Sequence, residues 1–274
     1  MKKRHSIFER IVAAPYIVWS MLFIIAPLLF VLYFALTDRN GDFTFENLLS
    51  LGSYSHTFIM SIGFSLIATV ICLLIGYPLA YCMSRTSART RNILTVLLML
   101  PMWISLLIRT YSLMALLDNG GLVNSFITSL GFEKMTFIGT DAAVILGMVY
   151  DFLPYMVLPI YTTMTKLDHR YLEAAADLGC NSRKTLTNVI LPLTVPGIVS
   201  GVTMVFVPSI STFYISQKLG GGSFDLIGDV IERQFKNAVT YHTGAAISLV
   251  MMILILISVA VMNHFSDGEE DIIV

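Results

Sequence analysis

The sequence predicts an all-α, polytopic membrane protein with six transmembrane helices. Hydrophobic residues make up 56% of the 274 residues, charged residues only 13%, and the mean hydropathy is +0.78. Soluble domains carry about 25% charged residues. A helix needs roughly 20 apolar residues to cross a bilayer core of about 30 Å. Six segments meet this requirement: 16–36, 58–83, 93–117, 142–164, 193–216 and 244–262.

Prolines occur inside four of these spans, at Pro27, Pro101, Pro154 and Pro208. A proline removes one backbone hydrogen bond from a helix. Spanning helices tolerate such breaks where a neighbouring helix or a cavity satisfies the freed carbonyl. The prolines are therefore compatible with six spans.

Lys and Arg residues are distributed unevenly between the two sides of the predicted spans. Eleven of the 17 lie in the N-terminal segment, the 84–92 loop and the 165–192 segment. Five lie in the opposite loops, and Arg109 lies inside a span. Loops rich in Lys and Arg stay on the cytoplasmic side. We therefore expect both termini and the 165–192 segment to be cytoplasmic.

Two loops on the opposite side have helical patterns of their own. Residues 122–130 and 224–237 each repeat apolar residues at helical spacing, with polar residues between them. Gly120, Gly121 and Gly220–Gly222 provide turns next to them. These segments are predicted to be interfacial helices or helices that face a partner.

The composition excludes several classes of function. The net charge is −1, so there is no basic excess for binding nucleic acid. No phosphate-binding GxxxxGK[ST] motif occurs, so the chain itself is not expected to bind ATP through a P-loop. The three cysteines give no disulfide framework. The five histidines are scattered outside the spans, which argues against a membrane-embedded enzyme.

The cytoplasmic segment 165–192 is predicted to form two short helices joined by a turn. Asp168 can cap the first helix, and Gly179 suits the left-handed position that ends it. Ser182 can cap the second helix, and Pro192 marks re-entry into the membrane. The apolar face of the first helix holds Leu172, Ala175 and Leu178.

The first of these helices has features of a docking surface. Glu173 and Asp177, four residues apart, place two carboxylates on one side. Ala174, Ala175 and Ala176 keep the helix slim, so the surface of another protein can close around it. On physical grounds alone, a solvated hairpin between two spans fits this pattern equally well.

The spacing of this segment resembles the EAA loop of permease subunits of binding-protein-dependent (type I) ABC importers. Glu-Ala-Ala is followed by three residues and then a glycine. After nine further residues come an aliphatic residue, one more residue and Leu-Pro. Val189 stands where isoleucine is usual. The matching positions are Glu173, Ala174, Ala175, Gly179, Val189, Leu191 and Pro192.

Further segments resemble the polyamine (spermidine/putrescine) branch of that family. They are Leu107–Tyr111, Leu153–Met156, Leu191–Gly197, Phe213–Ser216, Gly221–Gly222 and Ile227–Ile231. The resemblance implies one permease domain over residues 1–274 with the MetI-like fold, in the inner membrane of a bacterium. It also implies three protein partners: a homologous second permease, an ATPase dimer that holds ATP and Mg²⁺ and docks on the hairpin, and an extracytoplasmic binding protein. This chain would then hold no cofactor and catalyse no reaction.

Asp151 is an acid inside the fourth predicted span, where an ionisable group is costly and often functional. Together with Tyr150 and Tyr155 it offers a counter-charge and aromatic faces for a cationic cargo. Alternatively, Asp151 pairs with Arg109 or caps a broken helix near Pro154. The resemblance does not supply this role, which depends on the residue types alone.

The other polar and aromatic groups of the spans have two interpretations each. Arg109 is expected near the external boundary, where it snorkels or pairs with a loop carboxylate, with a gate as the second possibility. Phe213 and Tyr214 form either an outer gate or part of an aromatic belt. The Gly197-x-x-x-Gly201 pattern predicts close helix packing.

Two rival functions stay open from the sequence. One is an ABC permease for another small solute, such as sulfate, iron or another cation. The other is an ion-coupled secondary transporter with a functional Asp151, which would be expected to carry inverted repeats of broken helices. No internal repeat is evident in the sequence.

Overall fold

The computed structural model describes residues 15–237 and 239–270, most of them in helices. The N-terminal basic residues that enter the charge count (Lys2, Lys3, Arg4 and Arg10) lie outside the described residues. The helices of six residues or more, in chain order, are α1 Pro15–Ala35, α2 Ser55–Arg85, α3 Ala88–Trp103, α4 Leu106–Leu117, α5 Leu122–Ser129, α6 Asp141–Lys166, α7 His169–Asp177, α8 Ser182–Ser211, α9 Tyr214–Leu219, α10 Ile227–Lys236 and α11 Tyr241–Glu270.

The predicted fold class is confirmed. Within the described residues, five helices are long and apolar enough to cross a membrane: α1, α2, α6, α8 and α11. A bent pair made of α3 and the segment Leu106–Ser129 meets the same requirement together, which gives six spans when the pair is counted as one. The chain is therefore a multi-pass membrane protein built from helices.

The third predicted span, 93–117, is not a straight helix. α3 ends at Trp103 because Ile104 takes an extended conformation (φ −86°, ψ 138°), and α4 begins again at Leu106. The two parts of the span meet at an angle of 96°. Hydropathy gives little sign of this break, since Ser105 is the one polar residue between the apolar Ile104 and Leu106. The break changes the direction and the position of every side chain that follows it.

The fifth predicted span, 193–216, also differs in the structure. Its helix, α8, begins at Ser182 in the 165–192 segment and ends at Ser211. Thr212 is extended (φ −67°, ψ 137°), which stops the helical hydrogen-bond ladder. Phe213 and Tyr214 therefore lie at the start of the separate short helix α9 rather than at the end of the span.

α6 and α8 pack closely because two glycines face α6. A Cβ on Gly201 would lie 2.9 Å from the Met156 sulfur and 3.0 Å from the Met156 carbonyl oxygen. A Cβ on Gly197 would lie 2.8 Å from the Thr163 Cβ. Only glycine allows the two backbones to approach this closely. The predicted role of the Gly197-x-x-x-Gly201 pattern in helix packing is thus confirmed.

The chain divides into two compact units. One takes in the chain up to Ser55 together with Val230–Leu254, and the other takes in His56–Asp229 and the chain from Ile255 onward. In the first unit, Ala35 is fully buried and packs with Ala245 and Ala246 of α11. The apolar window of α1 has no buried residue, so its surface suits lipid or another protein.

The loop segment 118–137 is organised by Asn124, which is fully buried. Its amide nitrogen donates to the carbonyl oxygens of Asp118 (3.2 Å) and Met135 (2.9 Å). Its amide oxygen accepts from the Met135 N–H at 2.9 Å. The helix predicted at 122–130 is present as α5. Asn124 lies on this helix and is hydrogen-bonded to Asp118 before it and Met135 after it.

The start of α10 is fixed by two side-chain hydrogen bonds. The Asp229 carboxylate accepts from the Leu226 N–H at 2.8 Å, and the Ser61 hydroxyl accepts from the Ile227 N–H at 2.7 Å. Asp229 is only 4% exposed. Burial raises the pKa of Asp229 to about 6, and Asp225 adds to this effect. The helix predicted within 224–237 is thus present and is capped by a buried acid.

Candidate functional site

The hairpin at 165–192 begins with α7, whose two ends follow the prediction. The Asp168 carboxylate accepts from the backbone N–H two residues later at 3.0 Å, which caps the helix. Gly179 has a φ of +72°, and its N–H donates to the Ala176 carbonyl at 2.9 Å. The Cys180 N–H donates to the Ala175 carbonyl at 2.9 Å. Together these two bonds form a Schellman motif that ends the helix.

The second half of the hairpin differs from the prediction in the residue that caps it. Asn181 caps it rather than Ser182, by accepting from the Lys184 N–H at 2.9 Å. The helix then continues into the membrane without a break at Pro192. A π-helical turn over Leu186–Ile190 precedes this proline. Because Pro192 occupies the first turn after the π-helical segment, where its missing N–H is tolerated, the helix is not interrupted.

The hairpin exposes a specific set of side chains. Ala175 is 4% exposed and Leu172 is half-buried, whereas Leu178 is 84% exposed. The three therefore do not form one buried face, since α7 ends at Asp177 and Leu178 lies in the turn. Glu173 and Asp177 are both exposed. The tip of the hairpin thus exposes the Leu178 side chain beside the acidic side chains of Glu173 and Asp177.

A cavity of about 130 Å³ lies where the hairpin joins the spans. Leu172 and Ile190 of the hairpin line it, together with Arg91 of α3 and Tyr81 of α2. The Arg85 guanidinium also lines the cavity and lies 5.3 Å from the centre of the Tyr81 ring, in cation–π geometry. The hairpin therefore faces residues of α2 and α3 across this cavity.

Arg109 and Asp151 form a buried ion pair between α4 and α6. The guanidinium Nη1 lies 3.1 Å from the Asp151 Oδ1, and it donates to the Asp151 carbonyl oxygen at 3.2 Å. The Thr110 hydroxyl donates to Oδ2 at 3.4 Å. The expectation that Arg109 snorkels or pairs with a loop carboxylate is wrong. The break at Ile104 places Arg109 in the first turn of α4, facing α6, where it is 6% exposed.

Asp151 and its two neighbouring tyrosines do not form one site. Asp151 is 1% exposed and its charge is matched by Arg109. Tyr150 is 41% exposed on another side of α6. Tyr155 lines an open cavity of about 570 Å³. The other residues of this cavity are Met102, Leu158, Pro159, Thr162, Thr163, Ser200 and Met204.

Phe213 and Tyr214 have different surroundings. Phe213 is 39% exposed and precedes α9. The Tyr214 ring lies edge-to-face against Tyr111 of α4, with 6.0 Å between the ring centres. The Lys218 ammonium lies 5.2 Å from the centre of the Tyr111 ring and 5.7 Å from that of Tyr214. Of the predicted pathway residues, Tyr214 therefore belongs to a small aromatic and cationic cluster.

Tyr111 and Lys218 were not identified from the sequence as candidate residues. Tyr214 and Lys218 are four residues apart, which is the spacing of neighbours on one helix face. That signal is visible only once residues 214–219 are known to form a helix separate from the fifth span. The contribution of Tyr111 has no local signal, because it comes from a helix about 100 residues earlier in the chain.

A known protein family matches most of the chain. The sequence model of the family described as binding-protein-dependent transport system inner membrane component matches residues 73–269. The chain is 37% identical over 271 residues to the spermidine/putrescine transport system permease protein PotB of Haemophilus influenzae. That alignment covers 95% of each chain.

Solved structures show the same fold. A chain of a bacterial ABC transporter involved in the import of alginate has a TM-score of 0.77 with this protein, at 19% identity, and the match covers 94% of both chains. A second structure shows such an alginate transporter in complex with a periplasmic protein that holds an alginate pentasaccharide. Its TM-score is 0.76, also at 19% identity, over 94% of this chain and 93% of that chain.

Proposed function

Because this chain belongs to the family of binding-protein-dependent transport system inner membrane components, we propose that it is a permease that imports polyamines such as spermidine and putrescine. The cargo assignment depends on the similarity of this chain to a spermidine/putrescine permease over nearly the whole of both chains. Similarity confined to the coupling segment would support the transporter class but not the cargo.

The hairpin at 165–192 is proposed to couple this chain to a separate ATPase dimer. Its tip presents Leu178, which is 84% exposed, next to Glu173 and Asp177. A large exposed apolar side chain beside charged groups is typical of a surface that another protein covers. Gly179 and the helix caps hold this tip in one conformation. ATP and Mg²⁺ would be held by the ATPase, and this chain would supply no residue to the hydrolysis.

Two further protein partners complete the proposed assembly. A homologous second permease would enclose the pathway together with this chain. An extracytoplasmic binding protein would deliver cargo to the loops 118–140 and 217–243, where α5 and α10 lie. The distribution of Lys and Arg supports a cytoplasmic location for the hairpin and both termini, in the inner membrane of a bacterium.

The cargo pathway is proposed to use tyrosines more than Asp151. Tyr155 lines the open cavity, which also contains three hydroxyl groups from threonine and serine. Phe213 and Tyr214 are proposed as part of an outer gate, and Tyr150 is exposed at the surface of α6. Asp151 would serve the cargo only in a conformation that separates it from Arg109. In the described conformation its negative charge is already compensated.

Alternating access follows from this arrangement. Closure of the ATPase dimer would draw the two hairpins of the assembly together, and α6 and α8, which flank the hairpin in the chain, would move with it. Their movement would open the outer side to the binding protein. Release of the dimer would return the pathway to the cytoplasmic side, where the cargo leaves.

Uptake of radiolabelled spermidine tests this function. A strain that lacks this chain should lose uptake, and the plasmid-borne chain should restore it. Unlabelled putrescine should compete, whereas excess sulfate or iron should not. Restored uptake of sulfate or iron instead of spermidine would show an importer with another cargo. Uptake that persists without the ATPase subunit would instead show a secondary transporter.

Glu173→Lys tests the coupling role separately. It reverses a charge on the exposed face of α7 and should abolish uptake and cargo-stimulated ATPase activity while the protein stays in the membrane. Glu46→Lys is the matched control, since Glu46 is also exposed but lies between α1 and α2, outside the surfaces proposed for a partner. Equal loss in both variants, or normal uptake in Glu173→Lys, would contradict the proposed role of the hairpin.

A further inference from the structure

Tyr111, Tyr214 and Lys218 form a cluster that no part of the proposed coupling mechanism uses. The two rings meet edge-to-face at an interplanar angle of 78°. The Lys218 ammonium lies within 6 Å of both ring centres, at 5.2 Å and 5.7 Å. This is the distance at which the electron-rich faces of aromatic rings attract a cation. The pair of rings therefore binds an alkylammonium group, and that group is at present a side chain of the same protein.

The local structure holds the lysine in this position. Tyr214 and Lys218 are one turn apart in α9, and a long side chain in a helix points back toward the preceding turn. α9 can begin at Tyr214 because Thr212 ends the fifth span. Tyr111 is 46% exposed, so one side of the cluster is open to an approaching ligand.

We propose that the Tyr111–Tyr214 pair is a binding site for an ammonium group of the cargo, and that Lys218 occupies it until cargo displaces the lysine. The proposal rests on the proposed function, because a polyamine carries the same group as lysine, a primary ammonium on an alkyl stem. Lys218 thus acts as a tethered competitor.

A tethered competitor affects selectivity in a defined way. Linking a group to its site keeps its effective concentration high, in the mM range for short linkers. A monoamine must compete with Lys218 through one ammonium only. A polyamine binds through several ammonium groups, so it can exchange one of them for Lys218 while the others hold it elsewhere. The cluster therefore favours multiply charged cargo over simple amines.

Acylation of lysine in the assembled transporter tests the site without any need for transport. The reagent is an N-hydroxysuccinimide ester, and the modified lysines are quantified by mass spectrometry. Hexamethonium, a bis-quaternary ammonium that cannot be acylated, is the probe, with NaCl of equal ionic strength as its control. It should raise the rate of Lys218 acylation by about two- to fivefold, the range that corresponds to a cation–π contact at an exposed site. Lys236, which pairs with Glu232 in α10, is the reference lysine and should not respond.

Variants of the rings make the test independent of the probe. Tyr111→Leu removes an aromatic face and should raise Lys218 acylation to the level reached with hexamethonium. Tyr111→Phe keeps the face but removes the hydroxyl that contacts Lys218 and Tyr214, so its Lys218 acylation should lie below that of Tyr111→Leu; it also controls for folding. Equal Lys218 reactivity in the wild type and in Tyr111→Leu, with no response to hexamethonium, would overturn the proposal.

Transport then separates this inference from the proposed function. Lys218→Met should lower the KM for spermidine by about two- to fivefold and should improve competition by simple monoamines. If Lys218 responds as expected but spermidine is not a cargo, only the assignment of the cargo fails. If spermidine is transported while Lys218 acylation depends neither on the rings nor on the probe, the ammonium site is wrong and the transport function stands.

Discussion

The guanidinium of Arg109 lies 3.1 Å from the carboxylate of Asp151, and the two side chains are 6% and 1% exposed. The pair joins α4, which follows the break in the third span, to the middle of α6. Two charges this deeply buried stabilise a structure only as a pair, because each alone would carry a large desolvation cost. The position of α4 beside α6 therefore depends on both residues.

Asp151→Asn should destabilise the protein by about 3–5 kcal/mol, because it leaves the Arg109 charge uncompensated. Thermal unfolding in detergent measures this effect. The double variant Arg109→Met with Asp151→Leu should recover much of the loss, since it removes both charges. Asp141→Asn, an exposed carboxylate in the first turn of the same helix, is the control. A stable Asp151→Asn variant with altered cargo preference would instead support a counter-charge for the cargo.

Gly201→Ala should destabilise the packing of α6 against α8 by about 1–3 kcal/mol, because the added methyl group meets Met156 at 2.9–3.0 Å. Thermal unfolding again measures the change. Gly63→Ala is a matched control in α2, since nothing lies within 4 Å of its Cβ position. That variant should be neutral or gain up to about 1 kcal/mol from helix propensity. A similar loss in both variants would indicate a general effect of alanine rather than close packing.

Asn124→Ala should loosen the loop 118–137, because it leaves the Met135 N–H and two carbonyl groups without their partner. Each buried polar group that loses its partner costs about 1–3 kcal/mol. Hydrogen exchange at the Met135 amide should accelerate by at least tenfold, which corresponds to about 1.4 kcal/mol. Ser125→Ala is the control, since its hydroxyl is exposed and bonds within the same helix. Unchanged exchange in Asn124→Ala would show that other contacts hold the loop.

Asp229 should make the stability of the protein depend on pH. Burial raises its pKa from 3.8 to about 6, with Asp225 adding to the effect and Ser216, the Leu226 N–H and Gln217 opposing it. The folded state therefore binds the proton more tightly than the unfolded state, so stability rises as pH falls through 6 and levels off below 3.8. The full effect is about 3 kcal/mol.

The Asp229→Asn variant tests this dependence. Its amide cannot ionise, so it should be more stable than the wild type at pH 8, and its unfolding temperature should change less between pH 8 and pH 5. Glu133→Gln, which neutralises an exposed carboxylate, should keep the pH dependence of the wild type. Parallel pH curves for the wild type and Asp229→Asn would exclude Asp229 as the source.

Periodicity and composition predict this fold well where a local cause determines the structure. Asp168 and Gly179 are such cases, because a cap and a left-handed turn need only neighbouring residues. The break at Ile104 is different, since Ser105 is the one polar residue beside it and a hydropathy window averages it with its apolar neighbours. The pairing of Arg109 with Asp151 depends on that break and on contact between residues 42 positions apart. The same applies to Tyr111, which is far from Tyr214 in the sequence and contacts it only in the folded structure.

The glycines of α8 have a mechanical consequence. They leave no layer of side chains between α8 and α6 at two points, Gly197 and Gly201, so the helices cannot slide past each other there without a clash. The hairpin connects the end of α6 to the start of α8. A force on the hairpin would therefore tilt α6 and α8 together as one rigid unit, and neither helix would bend. This tilt would displace the residues near Ser211, at the far end of α8, where the regular helix stops.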